Sequence, residues 1–276
     1  MKIGFWQYSQ GHGCSTSNLI SVAMQIALNT KLKSAIMQTQ YRDNNLIYAV
    51  MGKDVRQTKN SDSFDDVGLD EIIRLVKSGK ATRESFISTT FSYISNRLNL
   101  VLDTQAPSEE LYYKDLNEYA TGIFDAFAPI YDVTFIDIDA GDTEISRKLL
   151  DTCDYIVCSL EQNKLLLNKT FKQEYLDYSK TIFVIGNYDN RLALNEKNIL
   201  REYDKLNSSN LFVLPTCPQF ANALNSCEVL KFFMLNKLSL IENNPKGKDE
   251  ILIFMQELKK LTDGILVLLG YGDGVK

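Results

Sequence analysis

The chain has 276 residues, 45% of them hydrophobic and only five of them proline, which is enough to bury one large core. Its net charge of -5 and isoelectric point of about 5.1 argue against nucleic acid as the main partner, because such binding depends on Lys and Arg. Five cysteines without a C-x-x-C pair, and a single histidine, argue against a zinc site or a disulfide framework. We therefore expect residues 1–276 to form one domain, and the lack of an apolar run of about 18 residues predicts a cytoplasmic protein.

The first predicted elements are a buried strand over 3–6, a turn containing Gly11 and Gly13, and an amphipathic helix. The spacing of one helix face is found at Leu19, Val22, Ala23, Ile26 and Ala27. A strand, a glycine turn and a helix in this order can form an anion site. Glycines let backbone N–H groups converge, and the positive end of the helix dipole lies behind them. The stretch therefore predicts a phosphate site between the first strand and the first helix.

This turn lacks the cation of a phosphate-binding loop. A Walker A motif ends in Gly-Lys-[Ser/Thr], whereas the corresponding residues here are Gly13, Cys14 and Ser15. No Lys or Arg lies between Lys2 and Lys31, so the loop can offer a phosphate only backbone donors. Two interpretations stay open: a phosphate loop without its lysine, or a strand-to-helix turn that binds nothing. Cys14 itself is either a small residue that fills the loop or a nucleophile at a helix N-terminus.

Further along the chain, short apolar runs alternate with amphipathic stretches. The apolar runs predict strands over 34–37, 98–102, 133–136, 155–158, 182–185 and 211–214. Helical spacing predicts helices over 46–52, 69–79, 112–127 and 144–150. Strands separated by helices favour right-handed crossovers, and hence an α/β fold with a mostly parallel sheet covered on both faces. Ligands of such sheets bind at the carboxyl ends of the strands.

Acidic residues follow the apolar run 133–136. Asp137 ends that strand, where a carboxylate can hold Mg²⁺ opposite the hydroxyl of Ser15, and we favour this role over helix capping. Asp139 and Asp142 are expected to cap the helix over 144–150 instead. The sequence thus predicts Ser15 and Asp137 as the two metal ligands of the site.

Four segments, in a fixed order along the chain, carry a family resemblance. Residues 9–16 correspond to the pattern KGGxGKTT, and residues 131–141 correspond to the Walker B pattern YDxxxIDxxAG. Residues 38–40, followed by Asn45 and by Met-Gly at 51–52, correspond to a D-x-D segment after the second strand. Asn187 and Pro215 correspond to segments that contact a nucleotide base. In this order and spacing, the segments resemble the MinD/ParA family of P-loop ATPases with a deviant Walker A motif.

The resemblance implies a three-layer P-loop NTPase fold, a homodimer, and ATP or ADP with Mg²⁺ as the ligand. The residues that it implies for nucleotide binding are Gly11, His12, Gly13, Cys14, Ser15, Thr16, Asn187 and Pro215. The chain departs from the family at both lysines, which are Ser9 and Cys14, and at the acids after the second strand, which are Gln38 and Gln40. Since removing one such group commonly costs about 10²- to 10³-fold in rate, hydrolysis is predicted to be negligible and no catalytic residue is assigned.

Within the family, the sequence looks most similar to the TadZ/CpaE type, whose members mark a cell site for pilus or secretion machinery. The leading hypothesis is therefore a degenerate, TadZ-like pseudo-ATPase scaffold that positions such a machine. One alternative is a slow ParA-type ATPase that borrows a cation from Arg42 or Lys53. Another is DNA partitioning through a basic surface at Lys164, Lys169 and Lys172.

The C-terminal stretch 251–269 has two alternative roles. MinD relatives can carry a membrane-targeting amphipathic helix there. In this chain Glu250 and Glu257 accompany Lys259 and Lys260, whereas interfacial helices usually have a more basic polar face. We therefore expect the stretch to pack on the domain, and membrane contact is not indicated.

Overall fold

The computed structural model describes residues 1–41, 46–52, 67–237 and 249–271, which contain an eight-stranded sheet. The strands are β1 (Lys2–Gln7), β2 (Ser34–Gln38), β3 (Thr90–Ile94), β4 (Leu98–Val101), β5 (Val133–Asp137), β6 (Tyr155–Leu160), β7 (Thr181–Tyr188) and β8 (Leu211–Pro215). Their order across the sheet is β3-β4-β2-β5-β1-β6-β7-β8, and every pair is parallel except β3 with β4. The turns that follow β1 and β5 therefore lie side by side at the carboxyl edge, near the centre of the sheet.

Helices connect the parallel strands. They are α1 (Ser15–Asn29), α2 (Leu46–Met51), α3 (Leu69–Lys77), α4 (Arg83–Ser88), α5 (Glu109–Phe127), α6 (Glu144–Thr152), α7 (Lys164–Phe171), α8 (Glu196–Glu202), α9 (Pro218–Asn225), α10 (Val229–Asn236) and α11 (Glu250–Leu268). A crossover helix is what a parallel pair of strands requires, because the chain must return to the same end of the sheet before it can form the next strand.

Alternate residues of each strand face two separate hydrophobic clusters. In β1, Ile3 and Phe5 belong to a cluster with α1, α9, α10 and α11, whereas Trp6 belongs to a cluster with α3, α5 and α6. In β5, Phe135 belongs to the first cluster and Ile136 to the second. Because successive side chains of a strand point to opposite faces, the two clusters lie on opposite faces of the sheet. The predicted three-layer α/β fold is confirmed.

The seven strands predicted from apolar runs are all present, and the strand β3 is additional; no bounds were predicted for the helices α4, α7, α8, α9 and α10. β3, the antiparallel edge strand, has no fully buried residue, so it lacks the continuous apolar run that marks the others. The short helix α4 precedes it and begins at a capping box in which Thr82 and Ser85 exchange hydrogen bonds. The strand ending at Asp137, counted fourth from the sequence, is therefore the fifth.

The expected capping of α6 by Asp139 and Asp142 is wrong. Thr143 is the N-cap, and its hydroxyl accepts a hydrogen bond from the backbone N–H of Ser146 at 3.1 Å. Thr143 has the extended backbone of a cap directly before the helix, so its short side chain reaches the first turn. Asp142 pairs with Arg147 at 2.6 Å, and the carboxylate of Asp139 accepts the hydroxyl of Tyr113 at 2.8 Å.

Helix α11 packs on the domain, as expected. Leu258 and Leu261 are fully buried in the cluster that contains α1, and the helix also contacts β8 at one edge of the sheet. At the other edge β3 is five residues long and its register shifts between Ser92 and Ile94. Within the described ranges, no helix is long and apolar enough to cross a membrane.

Candidate functional site

The turn after β1 has a backbone that few side chains tolerate. Gly11, Gly13 and Cys14 have φ angles of 74°, 87° and 61°, in the left-handed region. A Cβ on Gly13 would lie 2.9 Å from the carbonyl oxygen of Ser159, whereas a Cβ on Gly11 would meet nothing within 4 Å. Gly13 is therefore required by a close approach to β6, and Gly11 is required only by its backbone angle.

The turn lies directly on the ends of β6 and β7. The side-chain amide of Asn18 donates to the carbonyl oxygen of Gly13 at 3.1 Å and to the hydroxyl of Ser159 at 3.0 Å. A Cβ on Gly186 would lie 2.6 Å from that same carbonyl oxygen, so β7 also comes into contact with the turn. Beyond it, Asn187 donates from Nδ2 to Sγ of Cys14 at 2.9 Å. These contacts fix the backbone at the start of α1.

Two of the three backbone donors at Cys14, Ser15 and Thr16 have no acceptor among the described residues. The N–H of Ser15 donates to Oε1 of Gln7 at 3.2 Å. For the N–H groups of Cys14 and Thr16, the described part of the chain supplies no acceptor. The first N–H groups of any helix have no acceptor within the helix, and together with its dipole they favour an anion. The turn can therefore hold a phosphate through its backbone, without the lysine of a Walker A motif.

Asp137 lies beside this turn, at the end of β5. Its side chain is fully buried, and Oδ2 accepts the hydroxyl of Thr16 at 2.6 Å. Burial raises the pKa of Asp137 to about 7, although the hydrogen bond from Thr16 and the nearby hydroxyl of Ser15 oppose the shift and the charge of Asp139 adds to it. Oδ1 has no hydrogen-bond partner among the described residues, and the same is true of Oγ of the buried Ser15.

The unpartnered oxygens of Ser15 and Asp137, among the described residues, indicate whether a metal ion fits this site. Buried polar atoms are normally hydrogen-bonded, because leaving one unpaired costs free energy. A hydroxyl of Ser15 and a carboxylate of Asp137 are the hard oxygen ligands that Mg²⁺ prefers. These two residues could hold Mg²⁺ together with a phosphate, so the donor set fits the ion that the sequence predicted.

The residues after β2 are used differently. Gln38 is 3% exposed, and its Oε1 accepts the backbone N–H of Leu46 at 2.6 Å while its Nε2 donates to the carbonyl oxygen of Gln40 at 3.4 Å. Gln38 thus fixes the start of α2, and its neutral carboxamide has no carboxylate with which to orient a water molecule. Arg42 and Lys53, the two cations considered for this segment, lie outside the described residues.

The remaining predicted residues lie around the same edge of the sheet. Nδ1 of His12 contacts the carboxylate of Glu161 at 2.6 Å on the surface. Pro215 ends β8 beside Tyr188, the residue that follows Asn187. Burial, followed by the charge of Glu161, raises the pKa of the Cys14 thiol. A nucleophile needs the thiolate, so the environment of Cys14 is the opposite of that in a catalytic cysteine.

Four residues that the sequence did not single out complete this site. They contact the turn or hydrogen-bond to it, and they are Gln7, Asn18, Ser159 and Gly186. Only position in the fold could have indicated them: Gln7 ends β1, Ser159 is next to the last residue of β6, and Asn18 lies in the first turn of α1. Lys164, proposed for a basic surface, pairs with Glu202 at 2.7 Å.

No protein-family model matches the sequence, and no curated protein matches it either. Solved structures do match in fold. A ParA family ATPase from Chlorobium tepidum superposes with a TM-score of 0.67 at 12% identity, over 95% of this chain and 98% of that one. The fold is that of the ParA and MinD ATPases.

Two other structures share this ParA/MinD fold. The septum site-determining protein MinD of Pyrococcus horikoshii, solved with Mg-ADP, has a TM-score of 0.63 at 16% identity, over 98% of both chains. A plasmid partition protein of Borrelia burgdorferi bound to AMPPNP has a TM-score of 0.58 at 14% identity, over 97% of both chains. At such identities the likeness concerns the fold alone.

Proposed function

We propose that this chain is a nucleotide-binding scaffold, which holds ATP or ADP with Mg²⁺ at the turn after β1 and hydrolyses it negligibly. The observation that carries the proposal is the pair of buried, unpartnered oxygens on Ser15 and Asp137 beside unpaired backbone donors. A phosphate and a divalent ion would pair all of these groups together. The Mg-ADP complex of the MinD neighbour supports the choice of ligand.

The nucleotide would lie over the carboxyl edge of the sheet. The residues proposed to bind it are Gly11, His12, Gly13, Cys14, Ser15, Thr16, Asn187 and Pro215, with Ser15 and Asp137 as the metal ligands. Asn187 is exposed and already touches Cys14, which places it next to the phosphate turn. Pro215 ends the neighbouring strand, where a base could pack.

Negligible hydrolysis is proposed from the groups that are absent or already bonded. Phosphoryl transfer is catalysed by cations and by a residue that orients the attacking water. Cys14 stands where the phosphate lysine would be, and its thiol carries no positive charge. Gln38 stands where the first acid would be, and both ends of its carboxamide are hydrogen-bonded within the protein.

A calorimetric titration with ATP, with and without Mg²⁺, tests the binding. We expect saturable binding that Mg²⁺ strengthens, and we expect Asp137→Ala to remove the effect of Mg²⁺. Asp142→Ala is the matched control, since this exposed acid pairs with Arg147 and should leave the Mg²⁺ effect unchanged. Absence of binding by the wild-type protein would refute the nucleotide site.

Turnover tests the second half of the proposal. Purified protein should release phosphate from ATP no faster than buffer does. Brisk hydrolysis that Asp137→Ala abolishes would overturn the scaffold and favour a true ATPase.

The finer proposal is a homodimer of the TadZ/CpaE type, one domain over 1–276, that positions a pilus or secretion machine in the cytoplasm. It rests on the overall similarity in sequence to that subgroup, in the FW-x-x-x-x-G-x-G opening, at residues 38–40 and at residues 186–190. Light scattering on the protein with and without ATP tests the dimer. A monomer under both conditions would argue against it.

The alternative is a slow ParA-type ATPase that acts in DNA partitioning or positioning. The Borrelia neighbour is named as a plasmid partition protein. It requires a basic surface, for which Lys164, Lys169 and Lys172 are the candidates. Salt-sensitive binding to arbitrary duplex DNA would favour this alternative, and no binding at low salt would end it.

A further inference from the structure

The side chain of Gln7, the last residue of β1, lies at the start of α1. Its Oε1 accepts the hydrogen bond from the backbone N–H of Ser15, across eight positions of sequence. This N–H belongs to the first residue of α1, where the positive end of the helix dipole favours a negatively charged oxygen. A neutral carboxamide oxygen thus holds a donor that a phosphate oxygen would bind more strongly.

The backbone of Gln7 is fixed independently of its side chain. Gln7 pairs with Ser159 of β6, and its carbonyl oxygen accepts the N–H of Gly141 at 3.1 Å. The side chain, by contrast, is only partly buried. It can leave Ser15 by rotation about its own bonds while the sheet stays in place.

Two observations at the same place indicate a ligand rather than a capped helix alone. Oγ of Ser15, on the very residue whose N–H Gln7 holds, is buried without a partner in the described part of the molecule. Oδ1 of Asp137 is in the same condition. Gln7 therefore satisfies one donor of a site in which these two oxygens have no partner among the described residues.

We propose that Gln7 is an internal competitor for the phosphate and sets the affinity of this site for polyphosphates. In the nucleotide-free protein its Oε1 holds the N–H of Ser15. A phosphate oxygen that takes this donor must displace the carboxamide, and the lost hydrogen bond subtracts from the binding free energy. The inference rests on the proposed nucleotide site, because it names the residue that controls the strength of that site.

Three variants test the competition by titration with Mg-ATP and, separately, with inorganic pyrophosphate. Gln7→Ala removes the competitor and should bind each about fivefold more tightly, since an uncharged hydrogen bond contributes about that factor. Gln7→Glu places a carboxylate on the same donor and should bind each more weakly than wild type. Gln256→Ala, an exposed carboxamide on α11, is the control and should not change either affinity.

The single tryptophan provides the signal. Trp6 precedes Gln7, and its Nε1 donates to the carbonyl oxygen of Gly141 at 3.1 Å, so its fluorescence reports on this part of the protein. Amide hydrogen exchange at Ser15 gives a measurement without any ligand. It should be faster in Gln7→Ala than in the wild type, because the N–H is released.

The outcomes separate this inference from the proposed function. If no variant binds Mg-ATP but Gln7→Ala binds pyrophosphate more tightly than wild type, the nucleotide proposal fails and the competition stands. If Gln7→Ala binds both probes with unchanged or weaker affinity, the competition is refuted even where nucleotide binds. Absence of binding of either probe to every variant would refute both.

Discussion

The turns after β1 and β2 lie at the carboxyl edge of the sheet on either side of β5, and they differ in whether their buried polar groups are hydrogen-bonded. At the turn after β1, Ser15 at the start of α1 and Asp137 at the adjacent end of β5 each have an oxygen without a partner in the described part of the chain. After β2, the hydroxyl of Thr39 donates to the carbonyl oxygen of Asp137 at 3.0 Å and accepts the N–H of Asp139 at 3.3 Å. The carbonyl oxygen of Thr39 also accepts the hydroxyl of Tyr112 at 2.8 Å.

This difference in hydrogen bonding distinguishes a turn with a structural role from a turn that can bind a ligand. A buried polar group is normally paired, and Thr39 after β2 meets that rule through its bonds with Asp137, Asp139 and Tyr112. At the turn after β1, the oxygens of Ser15 and Asp137 break the same rule among the described residues, although Asn18 and Gln7 satisfy other groups close by. Ligand binding is therefore expected after β1, whereas Thr39 after β2 is bonded into the framework of the domain.

The strongest way to sharpen this comparison is to neutralise Asp137. Its pKa is raised from 3.8 to about 7 in the folded protein, so folding takes up a proton and this acid destabilises the fold as pH rises from about 4 to 7. Asp137→Asn has no charge to bury. In buffer with EDTA, we expect its stability advantage over wild type to grow with pH, by up to about 4 kcal/mol above pH 7. Urea unfolding of both proteins at pH 5 and pH 8 measures this difference in stability. An advantage that is equal at both pH values would contradict the raised pKa of Asp137.

A smaller effect is expected from the two glycines of the turn. Gly13→Ala combines left-handed strain with a Cβ 2.9 Å from a backbone oxygen, and should cost about 2–4 kcal/mol of unfolding free energy. Gly11→Ala is the matched control, because it has the same strain in open space and should cost about 1 kcal/mol. Thermal and urea unfolding compare the two. Equal losses of unfolding free energy in the two variants would mean that Gly13 is not in close contact with β6.

The paired turn can be broken at Tyr112. Tyr112→Phe removes a buried hydroxyl and leaves the carbonyl oxygen of Thr39 unsatisfied, so about 1–2 kcal/mol should be lost. Tyr155→Phe is the control, since its hydroxyl makes no hydrogen bond to the described residues, and it should unfold like the wild type. Nucleotide affinity should stay unchanged in both variants. A change in Tyr112→Phe would show that the turn after β2 takes part in binding.

The smallest effect is expected at Lys164. Its ion pair with Glu202 lies on the surface, where solvent screens the charges. Lys164→Ala should therefore leave the midpoint of urea unfolding unchanged, and it should not alter retention on duplex DNA at low salt. A loss of DNA binding in this variant would revive the partitioning alternative.

The sequence predicts the central strands and the position of the glycine turn because both leave a local signature. Strands such as β5 are continuous apolar runs, and Gly11 and Gly13 stand between one such run and a helical stripe. The edge strand β3 has no such run, because solvent reaches one side of it. For Asp139, the prediction of capping was wrong because spacing alone could not decide between it and Thr143.

Much of the candidate site could not be predicted, because its contacts join residues that are not neighbours in the sequence. The bond between Gln7 and Ser15 depends on how the turn folds back over β1, and no periodicity in the sequence records that. The contact of Gly186 with Gly13 joins residues far apart in the chain. Ser15 and Asp137 were predicted as a pair from their positions, one after the glycine turn and the other at the end of a buried strand, and their role as metal ligands stays a prediction.

The two borders of the sheet limit how copies of the chain can meet. β3 is short and irregular, and β8 ends at Pro215, which offers no N–H, while α11 lies against it. Open strand edges invite uncontrolled lateral growth into aggregates through the backbone. With both borders blunted, we expect copies of the chain to meet through side-chain surfaces and not by joining their sheets.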